Sequence, residues 1–191
     1  FGVPGESYLA VLDGLQDANS IRTIMCRQEG GSAMMAEAYA KLTGKPGVCL
    51  VTRGPGATNA SAGIHIAMQD STPLVMLVGQ VGREMMDREA FQEIDYRRMY
   101  GELTKWVAQI EDTSRIPEYI SRAFHTATSG RPGPVVLALP EDMLTEYADT
   151  KIINSYQKIE AYPSPTDLVR FEKMLSSGRA PLMIVGGGGW D

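Results

Sequence analysis

The stretch that decides the fold runs from Arg27 to Asn59. It reads Arg27-Gln28-Glu29-Gly30-Gly31-Ser32, a small and apolar run from Ala33 to Lys41, Leu42-Thr43-Gly44-Lys45-Pro46-Gly47, the apolar segment Val48 to Thr52, and Arg53-Gly54-Pro55-Gly56-Ala57-Thr58-Asn59. Gly30 to Leu42 is rich in Ala and Met and closes on Gly44, which predicts a helix and its stop. Glu29 stands where an expected strand, Ile21 to Cys26, hands over to that helix. Val48 to Thr52 predicts the next strand, apolar throughout as when both faces are covered by helices. The Gly-Pro-Gly turn follows it and opens another helix. In such a β-α-β-α pattern both loops fall at the carboxyl ends of strands, where open parallel sheets place their ligands. One carboxylate and one loop of close backbone approach therefore face the same crevice.

The flanking sequence continues the pattern. Phe1 to Glu6 reads as the end of a strand with its turn, and Ser7 to Leu15 as an amphipathic helix. Ala57 to Gln69 predicts a helix of small residues. Leu74 to Gly79, Trp106 to Ile110 and Pro134 to Leu139 predict strands, with a helix over Ser114 to Ser129 capped near Asp112 or Thr113. Gln80 to Arg98 is charged and irregular and reads as a solvated or mobile loop. The expected fold is α/β, a doubly wound six-stranded parallel sheet with helices on both faces, over residues 1–150. Residues 151–165 read as a linker. Residues 166–191 read as the beginning of a second, truncated α/β domain: a helix over Thr166 to Ser177, a strand over Pro181 to Val185, and a glycine turn from Gly186 to Gly189. That turn resembles half of a dinucleotide fingerprint, too little to test. The missing initiator Met and the strand-end opening suggest a piece of a longer protein.

Composition narrows the functions. Hydrophobic residues at 43% and charged residues at 21% suit a folded globular chain and leave no case for disorder. A net charge of -5, with Lys and Arg scattered, offers no surface for nucleic acid or an anionic membrane. No run approaches the roughly 20 apolar residues of a membrane span. Cys26 and Cys49 lie in apolar segments without metal-ligand spacing, so they read as reduced core thiols of a cytoplasmic protein, and no metal site is expected. His65 and His125 fall in helical patterns with no partner for catalysis and read as structural.

Nine short motifs, in order, carry a family resemblance. They are Glu29 with its glycines, Glu37-Ala38-Tyr39-Ala40, Thr43 to Gly47, Gly54 to Asn59, Asp70-Ser71-Thr72-Pro73, Gly79-Gln80-Val81, Ala90-Phe91-Gln92-Glu93, Thr104-Lys105, and Thr128 to Pro134. Together they resemble the pyrimidine-binding domain of thiamine-diphosphate enzymes, closest to the acetolactate synthase type. The resemblance implies that the Glu29 carboxyl bonds to the aminopyrimidine ring nitrogen and favours the imino tautomer, whose exocyclic nitrogen removes the thiazolium proton. It implies backbone contact with the cofactor from Gly54, Pro55 and Gly56, polar contacts from Asn59 and Gln92, and a substrate channel lined by Ser71, Gln80, Phe91 and Lys105. Arg131 matches a flavin-contacting position of the members that hold FAD.

The resemblance further implies that Mg²⁺ and the diphosphate sit on a separate C-terminal domain, usually of another subunit. The parent would be a homo-oligomer, at least a dimer, with a small 2-oxo acid as substrate. It would decarboxylate that acid and transfer the carbanion to a carbonyl acceptor, and these 191 residues alone would lack turnover. The blander readings are a first-turn acid favoured by the helix dipole for Glu29, a tight strand-to-helix turn for Gly-Pro-Gly, and a surface lysine for Lys105. Three departures from the acetolactate synthase pattern bear on substrate and flavin: Gln28 for His, Gly30 for Gln, and Gly82 for Pro. Alternatives are another thiamine-diphosphate decarboxylase or carboligase, for glyoxylate, oxalyl-CoA or an aromatic oxo acid, and a non-catalytic α/β binding module.

Overall fold

A computed structural model describes residues 1–186. They form two compact units, Phe1–Lys158 and a second that begins at Ile159. In the first, a 3-10 turn at Glu6–Tyr8 leads into α1, Leu9–Asp17. There follow α2 (Glu29–Thr43), β1 (Gly47–Val51), α3 (Pro55–Gln69), β2 (Leu74–Gln80), α4 (Tyr96–Tyr100), β3 (Trp106–Gln109), α5 (Ile116–Thr128) and β4 (Pro134–Pro140). The sheet order is β1-β2-β4-β3, and every pair is parallel.

Side chains alternate across this sheet, and both faces are buried. Cys49, Val51, Leu74, Met76, Val78, Val136 and Ala138 pack against α2, α3 and Tyr96 and Tyr100 of α4. Val75, Val135, Leu137 and Leu139 pack on the opposite face against Ala123 and Ala127 of α5. Two-sided burial is why these strands read as continuous apolar runs instead of alternating ones. The parallel α/β expectation holds, with four strands where six were expected.

The two remaining segments are reduced to single bridges. Gly2 pairs in parallel with Leu50 on one side and Met25 on the other. It donates to the Ile24 carbonyl at 3.1 Å and accepts from Cys26 N at 2.7 Å. The partner available to Ile21 to Cys26 is thus only Phe1 to Val3, because Pro4 has no N–H to continue a ladder. Apolar residues alone do not make a strand without a partner to pair with.

The loop between β2 and α4 differs from the solvated, mobile expectation. Arg83 pairs with Asp142 at 2.7 Å and with Glu146, and donates to the Glu111 carbonyl at 2.7 Å. Burial pushes the Asp142 carboxyl up, but its hydrogen bonds and charge contact with Arg83 outweigh this and hold it below the usual carboxylate value. Glu93 accepts from Asp87 N and Ala90 N, and Tyr96 is buried at the loop's end. The charges that suggested a free loop are the groups that pin it.

In the stretch expected to be a linker, Tyr156 stacks on Phe124 of α5 at 5.5 Å between ring centroids. In the second unit α6 (Pro165–Ser177) is capped by Ser164, which accepts from Asp167 N at 3.1 Å. The strand expected over Pro181 to Val185 is not formed, and Leu182 and Ile184 are exposed. Within the described part of this unit there is no strand for it to pair with. Gly187 to Gly189 of the expected glycine turn lie outside the described residues.

Candidate active site at the carboxyl edge of the sheet

Helices α2 and α3 lie side by side and in the same direction, matched residue by residue. A Cβ on Gly63 would meet the Ala33 Cβ at 2.6 Å and the Met34 nitrogen at 3.0 Å, so only glycine permits this approach. One turn earlier on both helices, Asn59 Nδ2 donates to Glu29 Oε2 at 3.0 Å. Further along, Thr72 donates to Glu37 Oε1 at 3.0 Å, and Lys41 pairs with Asp70 at 2.6 Å. Glu29 is half-buried in the first turn of α2. Asn59, thirty residues on, supplies its carboxyl with a polar partner.

The Gly54-Pro55-Gly56 loop lies beside that carboxyl. Gly54 has φ of 62°, and its N–H donates to the Tyr96 hydroxyl at 3.0 Å. A Cβ on Gly54 would lie 2.7 Å from Gln92 Cβ, and one on Gly56 would lie 2.8 Å from Thr52 Cγ2 and 3.6 Å from Glu29 Oε1. Both glycines are therefore demanded first by the chain's own packing. Pro55 opens α3, where its fixed φ and missing N–H cost nothing. Burial pushes the Tyr96 hydroxyl up to about 12, against the smaller lowering effect of the Gly54 N–H.

Arg53 was not singled out by sequence, yet it organises this edge. It is buried, pairs with Glu141 after β4 at 2.9 Å, and donates to the Phe91 carbonyl at 3.3 Å. Phe91 itself is 77% exposed, and half-buried Gln92 holds φ of 66° against Gly54. The available signal was a charged residue at the end of an apolar strand, where burial requires a partner. Ser7 joins the same cluster, with its hydroxyl 2.9 Å from the Thr52 hydroxyl.

Not every expected site residue reaches this edge with a free side chain. Gln80 lies at the carboxyl end of β2, but it is fully buried. Its amide donates to the Ile94 carbonyl at 2.7 Å, and its oxygen accepts from Val81 N at 3.0 Å. Within this chain its side chain holds the loop.

Ser71, Lys105 and Arg131 lie at the amino edge, on the far side of strands such as seven-residue β2, which spans about 20 Å. Arg131 donates to Ser71 Oγ at 2.8 Å and to the Met68 and Gln69 carbonyls at 3.0 and 3.1 Å. Lys105 donates to the Ser129 carbonyl at 2.6 Å and to that of Thr126, and desolvation lowers its pKa below the ordinary lysine value. Within this chain, these three are not brought together with Glu29. Among the described residues, no group of three His, Cys, Asp or Glu side chains could hold a metal ion. No described helix is long and apolar enough to cross a membrane.

Fold and site together define a parallel α/β domain with the Glu29 carboxylate at the carboxyl edge of its sheet. The family described as thiamine pyrophosphate enzyme, N-terminal TPP binding domain, matches residues 1–99, and the chain belongs to that family. It is 38% identical over 192 residues to an acetolactate synthase large subunit of Lactococcus lactis subsp. lactis (strain IL1403), covering 98% of this chain and 33% of that protein. It is 36% identical over 188 residues to the acetolactate synthase isozyme 2 large subunit of Escherichia coli (strain K12), covering 98% and 34%. A chloroplastic acetolactate synthase of Arabidopsis thaliana is 36% identical over 194 residues, with 98% and 29% covered. The chain spans about a third of the length of these relatives.

Proposed function

We propose that this chain supplies the carboxylate side of the cofactor site in an acetolactate synthase-like enzyme, one that decarboxylates a 2-oxo acid and joins the remaining fragment to a carbonyl acceptor. The observation that carries this reading is the placement of Glu29: Oε2 is held by Asn59, while Oε1 lies toward Gly56 with no hydrogen-bond partner among the described residues. An open carboxylate oxygen beside a flat glycine loop suits a heteroaromatic ring with a basic nitrogen.

When bound, thiamine diphosphate supplies the carbanion-stabilising chemistry. The protein's part is positional and protonic. Glu29 would hold a proton at Oε1 toward the pyrimidine nitrogen. The Gly54-Pro55-Gly56 backbone, braced by Tyr96 and Gln92, would lie against the ring. Phe91 shields the mouth from water, and Gln92 offers a polar group there. Residues outside this chain hold Mg²⁺ and the diphosphate. Met34, Met35 and Leu42 of α2 and Ile66 of α3 are exposed and apolar, which supports burial against a second subunit in a homo-oligomer. Two unpaired thiols, Cys26 and Cys49, suit a reducing compartment such as the cytoplasm. A flavin contact at Arg131 would have to compete with the three hydrogen bonds that side chain makes.

One observation favours a related decarboxylase or carboligase as the second reading. Gln28, where the acetolactate synthase pattern has His, spends its side-chain oxygen on Gly31 N at 2.7 Å. It brings no titrating group to the crevice. Carbon dioxide release by the full-length protein from a panel of 2-oxo acids, with and without thiamine diphosphate and Mg²⁺, tests both readings. Pyruvate as the preferred acid supports the first and another acid the second. Release that ignores the cofactor removes both.

A further inference from the structure

We infer that Asn59 is a positioning residue that aims the Glu29 carboxyl, and that the unusual pair Gln28 and Gly30 makes this arrangement possible. The inference rests on the reading of Glu29 as the partner of the pyrimidine ring. A carboxylate in the first turn of a helix is ordinarily drawn to that helix's own unsatisfied N–H groups. Here Gln28, at the N-cap, already accepts from Gly31 N at 2.7 Å. With that donor taken, Glu29 turns across to the neighbouring helix.

Gly30 leaves the space that the neighbour needs. A Cβ there would meet the Asn59 carbonyl oxygen and Gln28 Oε1, each at 3.0 Å. A larger residue at position 30 would push α3 or the capping side chain away. The Gly63–Ala33 contact, one turn on, fixes the separation of the two helices at this end. Asn59 then meets Glu29 Oε2 at 3.0 Å and leaves Oε1 toward Gly56 and the crevice. An amide suits this task because it donates without competing for the proton. Asn59 is itself exposed, so its truncation leaves the fold intact.

The test uses the full-length protein with Mg²⁺ and two ligands, thiamine diphosphate and an analogue whose pyrimidine ring nitrogen facing Glu29 is replaced by C–H. Calorimetry gives the ratio of their dissociation constants. In the parent the true cofactor is preferred by about tenfold or more, the size of one hydrogen bond to a charged group. In Asn59→Ala the preference falls several-fold, because the carboxyl is no longer aimed, and Gly30→Gln lowers it in the same direction. If Asn59 is merely structural, or touches the cofactor elsewhere, both ligands weaken together and the ratio stays fixed, which overturns the inference. A parent without any preference instead overturns the placement of the ring beside Glu29. A crystal structure of Asn59→Ala then decides the positioning claim by itself: a displaced Glu29 carboxyl upholds it, and an unmoved one removes it.

Discussion

The two edges of the parallel sheet carry similar polar residues and use them differently. At the amino edge, Lys105 and Arg131 donate to the last carbonyls of α5 and α3, the groups that a helix leaves unsatisfied at its C-terminus. Both cations are spent on the scaffold. At the carboxyl edge, Arg53, Gln80 and Tyr96 are spent too, but on loops: Arg53 on Phe91 and Glu141, Gln80 on Ile94 and Val81, Tyr96 on Gly54. Among the groups left there is an oxygen of Glu29 that has no partner among the described residues. The contrast teaches that a charged residue near a loop is weak evidence of a site, because helix ends absorb cations readily. The group that the fold positions and leaves partly unsatisfied is the better marker.

The sharpest way to break this contrast is Glu29→Gln. Cofactor-dependent carbon dioxide release by the full-length protein should fall by about 10²- to 10⁴-fold, the usual loss for a proton-transferring group. Stability in a denaturant titration should move by no more than about 0.5 kcal/mol, as for other surface substitutions. Preserved turnover would reduce Glu29 to a first-turn acid and erase the difference between the edges.

Gly63→Ala probes the helix approach on which the carboxyl edge depends. Its Cβ has no room against Ala33, so the denaturation midpoint should drop by the equivalent of about 1–3 kcal/mol. An unchanged midpoint would show that α2 and α3 can part without cost.

At the amino edge, Lys105→Met leaves the Thr126 and Ser129 carbonyls without their donor. A loss of about 1–3 kcal/mol is expected, with KM for the 2-oxo acid unchanged. A raised KM at unchanged stability would move Lys105 to the substrate side.

The last effect is alkaline. Tyr96 is raised from 10.0 to about 12 by burial, so its neutral form is favoured in the folded state. Its contribution is fully present below pH 10 and is lost as pH rises through about 12, amounting to about 2–3 kcal/mol. Tyr96→Phe should flatten that part of a stability-against-pH curve, alongside a constant loss from the unpaired Gly54 N–H. An unchanged slope would mean that burial does not raise this hydroxyl in the folded state.

Local features made much of this molecule legible from its residues alone. Val48 to Val51, Leu74 to Gly79 and Pro134 to Leu139 are apolar at every step, and that is enough to specify strands buried on both faces. Gly44 and Pro55 punctuate α2 and α3 by their own backbone preferences. Glu29 stood out because a carboxylate beside glycines at a strand-to-helix junction is a local pattern. The same local reasoning failed at Ile21 to Cys26 and Pro181 to Val185, where a strand requires a partner that the neighbouring chain does not provide.

The sequence by itself thus determined most of the elements, their parallel winding and the position of the Glu29 carboxylate, since each follows from a residue's preference or its near neighbours. Only the tertiary structure decided where the polar side chains spend their hydrogen bonds. Arg53 and Glu141 are 88 residues apart, Lys105 and Ser129 are 24 apart, and Asn59 and Glu29 are 30 apart. A hydrogen bond requires its partners within about 3 Å, and only the packed sheet and helices set which carbonyl or carboxylate comes within that reach.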